Sequence, residues 1–302
     1  MRVTGLKLPG LLALFALLIT ACGQAPATGG AAKPFVISAI PDQDPEKLQR
    51  LYGSLATYLA QELGVPVEYK PVTDYTASVT AFKVGDLDMV WYGGLTGTQA
   101  RLQVPGAQAI VQRDIDAQFH SVFIANKASG IQFLADLKGH TFTFGSESST
   151  SGRLMPQYFL QQAGIKTSDF KGEPGFSGNH DKTIALVTAG TYDAGALNEQ
   201  VWKKRVAEGA VDQAKVDVFY TSPAFFDYHW VIQPNLAERY GADFVQKVQQ
   251  AFFKLDPNVA EHKEILDLFG TQKFIATNNE NYAQIETIGR EVGQIVAGAP
   301  AK

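Results

Sequence analysis

Gly145-Ser146-Glu147-Ser148-Ser149-Thr150-Ser151-Gly152 is a run of mostly small hydroxyl residues set between a strand-like and a helix-like segment. Upstream, Thr141-Phe142-Thr143-Phe144 alternates polar and apolar residues of β-favouring type, the pattern of a short strand. Downstream, Leu154, Met155, Tyr158, Phe159 and Ala163 recur at helical spacing, and Gly164 supplies a stop. Proline is tolerated only in the first turn of a helix, where its missing N–H would have had no partner, so Pro156 predicts a helix beginning near Gly152. Ser149, Thr150 and Ser151 then stand at its N-terminus, where free backbone N–H groups, the positive end of the helix dipole and three hydroxyls can converge on a small anion. On these eight residues alone a plain serine cap in a polar loop reads equally well.

Working outward, strands and helices alternate. Phe35 to Ile40 reads as a strand, and Pro41 to Asp44 as a turn. A helix opens at Pro45, with Leu48, Leu51, Tyr52, Leu55, Leu59 and Leu63 on its inner face and Gly64 at its end. Val65 to Tyr69 is a second strand, Asp74 caps a second helix, and Leu87 to Tyr92 is a third strand that ends at Gly93-Gly94. This alternation predicts crossovers on mostly parallel sheets, with ligands gathered at the carboxyl ends of strands. A strand over Phe119 to Ala125 runs out at Asn126-Lys127, where the chain is predicted to cross into a second α/β lobe and to return after Pro223 through Tyr228 to Ile232. The expected division is residues 35–125 plus 224–302 for lobe 1 and 126–223 for lobe 2.

The chain of 302 residues, 45% hydrophobic and 19% charged, has the composition of a globular protein large enough for two domains. Its start differs. Arg2 and Lys7 precede an apolar run, Leu11 to Ile19, too short to span a bilayer, and Ile19-Thr20-Ala21 leads to Cys22, the chain's only cysteine. This resembles a bacterial lipoprotein signal, which implies removal of residues 1–21, a lipid on Cys22 and a flexible tether over residues 22–34. Removal takes away two basic residues and no acid, leaving 24 basic against 30 acidic side chains, a net of −6. A nucleic-acid partner is therefore not expected, and an anionic ligand must be held by local dipoles and hydrogen bonds.

His180, in Phe176-Ser177-Gly178-Asn179-His180-Asp181, is predicted at a helix N-terminus beside the hydroxyl run, as donor to an oxyanion or as part of a cap. Asn198 ends the strand Ala194 to Leu197, Tyr92 ends another, and Asp227 precedes the returning strand; each is a candidate contact or a turn residue. There is no Gly-x-Ser-x-Gly elbow, His-Glu-x-x-His helix, phosphate-binding Walker loop or pair of cysteine ligands. No catalytic residue, metal or cofactor is therefore expected, and a Ser149 or Ser151 nucleophile with His180 as base is the weaker reading.

The order of Val-Thr-Asp-Tyr at 72–75, Gly-Asp-Leu-Asp-Met-Val-Trp-Tyr-Gly-Gly at 85–94, the Ser-Ser-Thr-Ser-Gly run, Phe-Ser-Gly-Asn-His-Asp at 176–181 and Asp-Ala-Gly-Ala-Leu-Asn at 193–198 resembles the phosphate/phosphite/phosphonate-binding family of ABC-importer solute receptors. Ser-Ala-Ile-Pro-Asp at 38–42, Phe-His-Ser-Val-Phe-Ile-Ala-Asn at 119–126 and Phe-Phe-Asp-Tyr-His-Trp at 225–230 are most similar to a branch described as selenate receptors. The resemblance implies a two-lobe periplasmic-binding-protein fold of type II that closes on a tetrahedral oxyanion in the inter-lobe cleft. It implies ligand contacts from Ser149, Thr150, Ser151 and His180 on one side, and from Tyr92 and Asp227 on the other. Asn198 stands where aminophosphonate receptors carry a carboxylate, which favours a small oxyanion without an amine. A lipid-anchored, monomeric, extracytoplasmic receptor working with an ABC permease and its ATPase is expected; a tethered sensor of the same oxyanion is the alternative.

Overall fold

The computed structural model describes residues 33–296, with positions 1 and 5 besides. The expected signal segment apart from those two positions, Cys22 and nearly all of the tether lie outside the described residues.

Local signals act where the sequence puts them. Asp44 caps the first helix, Pro45–Leu63, accepting from the N–H groups of Glu46 and Lys47, and Gly64 ends it in the left-handed conformation that costs glycine least. Leu48, Leu51, Tyr52, Leu55 and Leu59 form its buried face.

Eleven strands follow in order among the described residues: β1 (Phe35–Ala39), β2 (Val67–Tyr69), β3 (Met89–Tyr92), β4 (Gln108–Arg113), β5 (Ser121–Asn126), β6 (Phe142–Phe144), β7 (Gly175–Phe176), β8 (Ala194–Asn198), β9 (Val216–Thr221), β10 (His229–Ile232) and β11 (Phe274–Ala276). They make a six-stranded sheet ordered β11-β4-β10-β3-β1-β2 and a five-stranded sheet ordered β7-β6-β8-β5-β9. Helices cover both faces of each. In β5, Val122 and Ile124 point into one apolar cluster, while Phe123 and Ala125 point into the other, so this strand is buried on both faces with the two-residue period of a pleat.

Two expectations are corrected. The sheets are mixed rather than mostly parallel, since β10 runs antiparallel to β3 and β4, β11 to β4, and β5 to β8 and β9. The crossover strands end at the cleft, so a strand arriving from the other lobe enters at that edge and has to run the opposite way; β5 and β10 are those strands. The first crossing also comes earlier than Ala125. Ser121–Asn126 belongs wholly to the second sheet, and the two passing segments meet at Phe119 and Phe225, each donating its N–H to the other's carbonyl at 2.9 Å.

Candidate functional site

The hydroxyl run folds as a closed loop. Gly145 donates to the carbonyl of Gly152 at 2.8 Å, and a Cβ on Gly152 would crowd Gly145 Cα and the His180 ring, each at 3.2 Å, so a side chain there would push these neighbours apart. Ser149 is the N-cap, its Oγ accepting from Gly152 N–H at 2.9 Å. A π-helical turn over Thr150–Leu154 precedes the α-helix Met155–Gln162, which begins slightly later than Pro156 alone suggests. Ser149, Thr150 and Ser151 are all buried, and they face the other lobe.

Across the cleft, β3 delivers the chain to the helix Gly94–Gln103, whose first N–H groups have no intrahelical partner. Gly94 donates to Asp227 Oδ1 at 2.9 Å, and Leu95 donates to Thr150 Oγ1 at 2.9 Å. Gly93 must be glycine here, because a Cβ would stand 2.8 Å from Thr150 Oγ1 and 3.1 Å from Asp227 Oδ1. Further contacts join the lobes: His180 N–H to Asp42 O at 3.0 Å, Asp44 N–H to Asp181 Oδ2 at 3.0 Å, and Lys204 Nζ to the final carbonyls Asp267 O and Leu268 O of the helix Ala260–Phe269.

Burial sets the charge states. Asp227 has its carboxyl pushed up to about 7, chiefly by loss of water, while the Gly94 N–H and the Thr150 and Ser151 hydroxyls hold it down. Its Oδ2 is buried without a hydrogen-bond partner. His180 opens the helix His180–Thr188, and burial brings its ring down to about 4, so it is neutral at ordinary pH. Asn198 N–H points to its Nδ1 at 3.4 Å, and an N–H can only donate, so the ring proton belongs on Nε2. Nε2 is 3.4 Å from the hydroxyl of Tyr228, whose own proton goes to Asp42 Oδ2 at 2.7 Å. Burial raises Asp42 to about 6.

The structure thus brings Ser149, Thr150, Ser151, His180 and Asp227 to one place. Asn198 joins at its border: Oδ1 caps the helix Glu199–Ala207, and Nδ2 donates to the Tyr228 hydroxyl at 3.1 Å. Tyr92 is not brought there. Its side chain leaves β3 toward the helix Tyr75–Lys83, packs edge-on to Phe82 and donates to Ser78 O at 2.8 Å. The aromatic hydroxyls at the site are those of Tyr75 and Tyr228. Tyr75 is buried on the Ser149 side, and its hydroxyl has no well-formed partner. Asp42, Tyr75 and Tyr228 were not singled out from sequence, although Asp42 follows β1 at a carboxyl end, where ligand groups collect. A cavity of about 480 Å³ lies beyond the Asp42–Tyr228–Asn198 contacts, lined by Tyr52, Trp91, Arg113 and Phe269 among others and by none of the three cradle hydroxyl residues.

Chemically, the arrangement offers hydroxyl and imidazole donors and two buried carboxyls, Asp42 held by Tyr228 and Asp227 with one oxygen unpartnered. That suits a small anion that carries a proton. The comparisons with known proteins agree in kind. A family model described as ABC transporter, phosphonate, periplasmic substrate-binding protein matches residues 37–282. A probable ABC transporter phosphite binding protein of Prochlorococcus marinus (strain MIT 9301) is 46% identical over 270 residues, covering 87% of this chain and 91% of the relative. The solved structure of a Prochlorococcus marinus protein in complex with methylphosphonate superposes with a TM-score of 0.85 at 45% identity, covering 87% of this chain and 100% of the other. A binding component of a phosphonate ABC transporter from Pseudomonas aeruginosa, 22% identical, shares the fold with a TM-score of 0.76 over 88% of this chain and 91% of its own. With the family model spanning both sheets and a relative of this identity along most of its length, the chain belongs to the phosphonate-type periplasmic substrate-binding proteins of ABC transporters.

Proposed function

We propose that the protein captures phosphite or a small alkylphosphonate between its lobes and hands it to an ABC permease driven by its ATPase. The observation that carries this is Asp227: a buried carboxyl with one oxygen unpartnered, set among Thr150, Ser151, the helix-terminal N–H groups and neutral His180. A carboxylate there accepts from a P–OH and repels an ion that has no proton to give, which disfavours sulfate and selenate. Thr150, Ser151, Tyr75 and His180 Nε2–H serve as donors to the remaining oxygens. Ser149 gives its oxygen to the cap and keeps its proton for the ligand. We read the protein as a receptor rather than an enzyme, because Ser149 Oγ is engaged by Gly152 N–H and the His180 ring lies against Asn198 N–H and the Tyr228 hydroxyl rather than against a serine hydroxyl. Support for the ligand class also comes from the phosphite and methylphosphonate named for the relatives.

Calorimetry with phosphite, methylphosphonate, phosphate, selenate, selenite and sulfate tests the reading. Phosphite or methylphosphonate should bind far more tightly than sulfate or selenate; preferential binding of selenate would overturn it.

We also propose that the lipid on Cys22 holds the receptor at the outer side of a bacterial membrane. Cys22→Ala should move the protein from the membrane fraction into the soluble one, and retention of the variant in the membrane would refute the anchor.

A further inference from the structure

The helix Gly94–Gln103 grips Asp227 from two points. Its N-terminal N–H, on Gly94, donates to the carboxylate, and its last turn reaches the same residue through two side chains. Arg101 is partly buried and has no carboxylate within ion-pair distance among the described residues. Its Nη1 lies 2.6 Å from His229 Nε2, Nη2 donates to Thr98 Oγ1 at 3.2 Å, and the guanidinium sits over the Tyr282 ring. A guanidinium has only donors, so Nε2 of His229 accepts and the imidazole proton is forced onto Nδ1. Nδ1 then donates to the backbone carbonyl of Asp227 at 2.9 Å. Burial, reinforced by Arg101, keeps this ring neutral.

The remaining contacts fix the same residue. Tyr282 stacks on His229 with centroids 3.7 Å apart, and Asp227 N–H donates to Asp116 O at 3.1 Å. Asp116 is itself clasped by Arg113. Gly97 gives the imidazole its place, because a Cβ there would run into His229 Nε2 and Cε1.

We propose that Arg101 and His229 are positioning residues for the ligand-facing carboxylate of Asp227, with Gly97 as the gap that lets the imidazole reach the helix. The proposal rests on the reading of Asp227 as a ligand contact. Arg101 sets the tautomer, the tautomer holds the Asp227 carbonyl, and the carbonyl fixes the direction from which Oδ2 faces the cleft.

Two measurements test it on the full chain. Long-range proton–nitrogen spectra of the unliganded wild type should show His229 protonated on Nδ1; protonation on Nε2 would overturn the proposal without any variant. Calorimetry with phosphite should show Arg101→Met and Gly97→Ala weakening affinity by about 10-fold, the scale of a lost hydrogen bond to a charged group. Arg101→Lys, which keeps a donor for Nε2, should recover most of that loss even where its melting temperature matches that of Arg101→Met. Wild-type affinity in a folded Arg101→Met protein overturns the positioning role alone. A wild type that binds neither phosphite nor methylphosphonate overturns the reading of Asp227 and the proposal together.

Discussion

The two walls of the cleft are built by different means. On the second lobe the wall is local: Ser149 caps a π-turn of five residues, Thr150–Leu154, with His180 beside it at the start of the helix His180–Thr188. On the first lobe and the crossing segments it is assembled from far apart in the chain, with Asp42 after β1, Tyr75 at a helix start, Gly94 and Leu95 at another, and Asp227 and Tyr228 before β10. The local wall carries hydroxyls that can turn toward any acceptor, whereas the assembled wall carries both carboxyls, Asp42, held by the Tyr228 hydroxyl, and Asp227, whose Oδ2 is unpartnered. On the function proposed above, the first would supply affinity for oxyanions in general and the second the choice among them.

The sharpest way to break that division is Asp227→Asn. The amide keeps the shape and removes both the charge and the acceptor for a P–OH, so discrimination of phosphite from sulfate should fall by about 100-fold or more, from a lost charged hydrogen bond together with relief of repulsion. Calorimetry with both ions measures it; an unchanged ratio would move selectivity to the other wall. Next come Thr150→Ala and Ser151→Ala. Each removes a donor to a buried charged ligand, worth about 1.5 to 3 kcal/mol, and should weaken phosphite and sulfate alike by roughly 10- to 150-fold. If both variants bound as tightly as wild type, the hydroxyl run would be a helix start and nothing more. Ser149→Ala has a smaller, mixed effect. Loss of its cap to Gly152 should cost about 1 kcal/mol of stability in a melt without ligand, a signature that Ser151→Ala should lack.

The same contrast explains what could be read from sequence. The loop and capped helix start of Gly145 to Gly152 were legible because strand, glycine, hydroxyls, proline and helix follow one another, so the local rules all act on one short segment. Tyr92 and Tyr75 could not be ranked: both lie at element ends at the cleft, and only the direction in which each leaves its backbone separates the one held by Ser78 from the one facing Ser149. Asp42 read as part of a turn, because its partner Tyr228 is 186 residues away and no periodicity spans that distance. The crossing was placed late because Phe119 to Ala125 is a continuous β-favouring run, and nothing in its composition tells which sheet its pairing partners belong to. The sense of the strands was missed for a related reason, since alternation of strand and helix reports local crossovers but not the two strands that arrive from the other lobe.

The smallest expected effect concerns pH and again sets the two walls apart. Asp42 and Asp227 have folded values raised to about 6 and about 7, so the stability they contribute is complete below the unfolded value of 3.8 and is lost as pH rises through the folded ones. His180, lowered to about 4 from 6.5, works in the opposite sense: its contribution is complete above 6.5 and is lost as pH falls toward 4. His229, also lowered, has the same sign. Between about pH 4 and 6.5 the carboxyls and the imidazoles oppose each other and the melting curve should be nearly flat. Above about pH 6.5 the folded histidines are neutral and the unfolded ones, half protonated at 6.5, release the rest by about pH 8, while Asp227 loses its proton in the folded protein. Relative to Asp227→Asn, the unliganded wild type should therefore lose on the order of 1 kcal/mol or less between about pH 6.5 and 8. In Asp227→Asn that loss should vanish, and between about pH 4 and 6.5 stability should rise with pH, because Asp42 alone then opposes the imidazoles. Saturating phosphite should move the slope to higher pH, because a ligand that shares its proton with Oδ2 keeps the complex protonated where the free protein is not. Equal slopes in wild type and Asp227→Asn would show that Asp227 is already ionised in the closed cleft, and the choice of a protonated oxyanion would then require another acceptor.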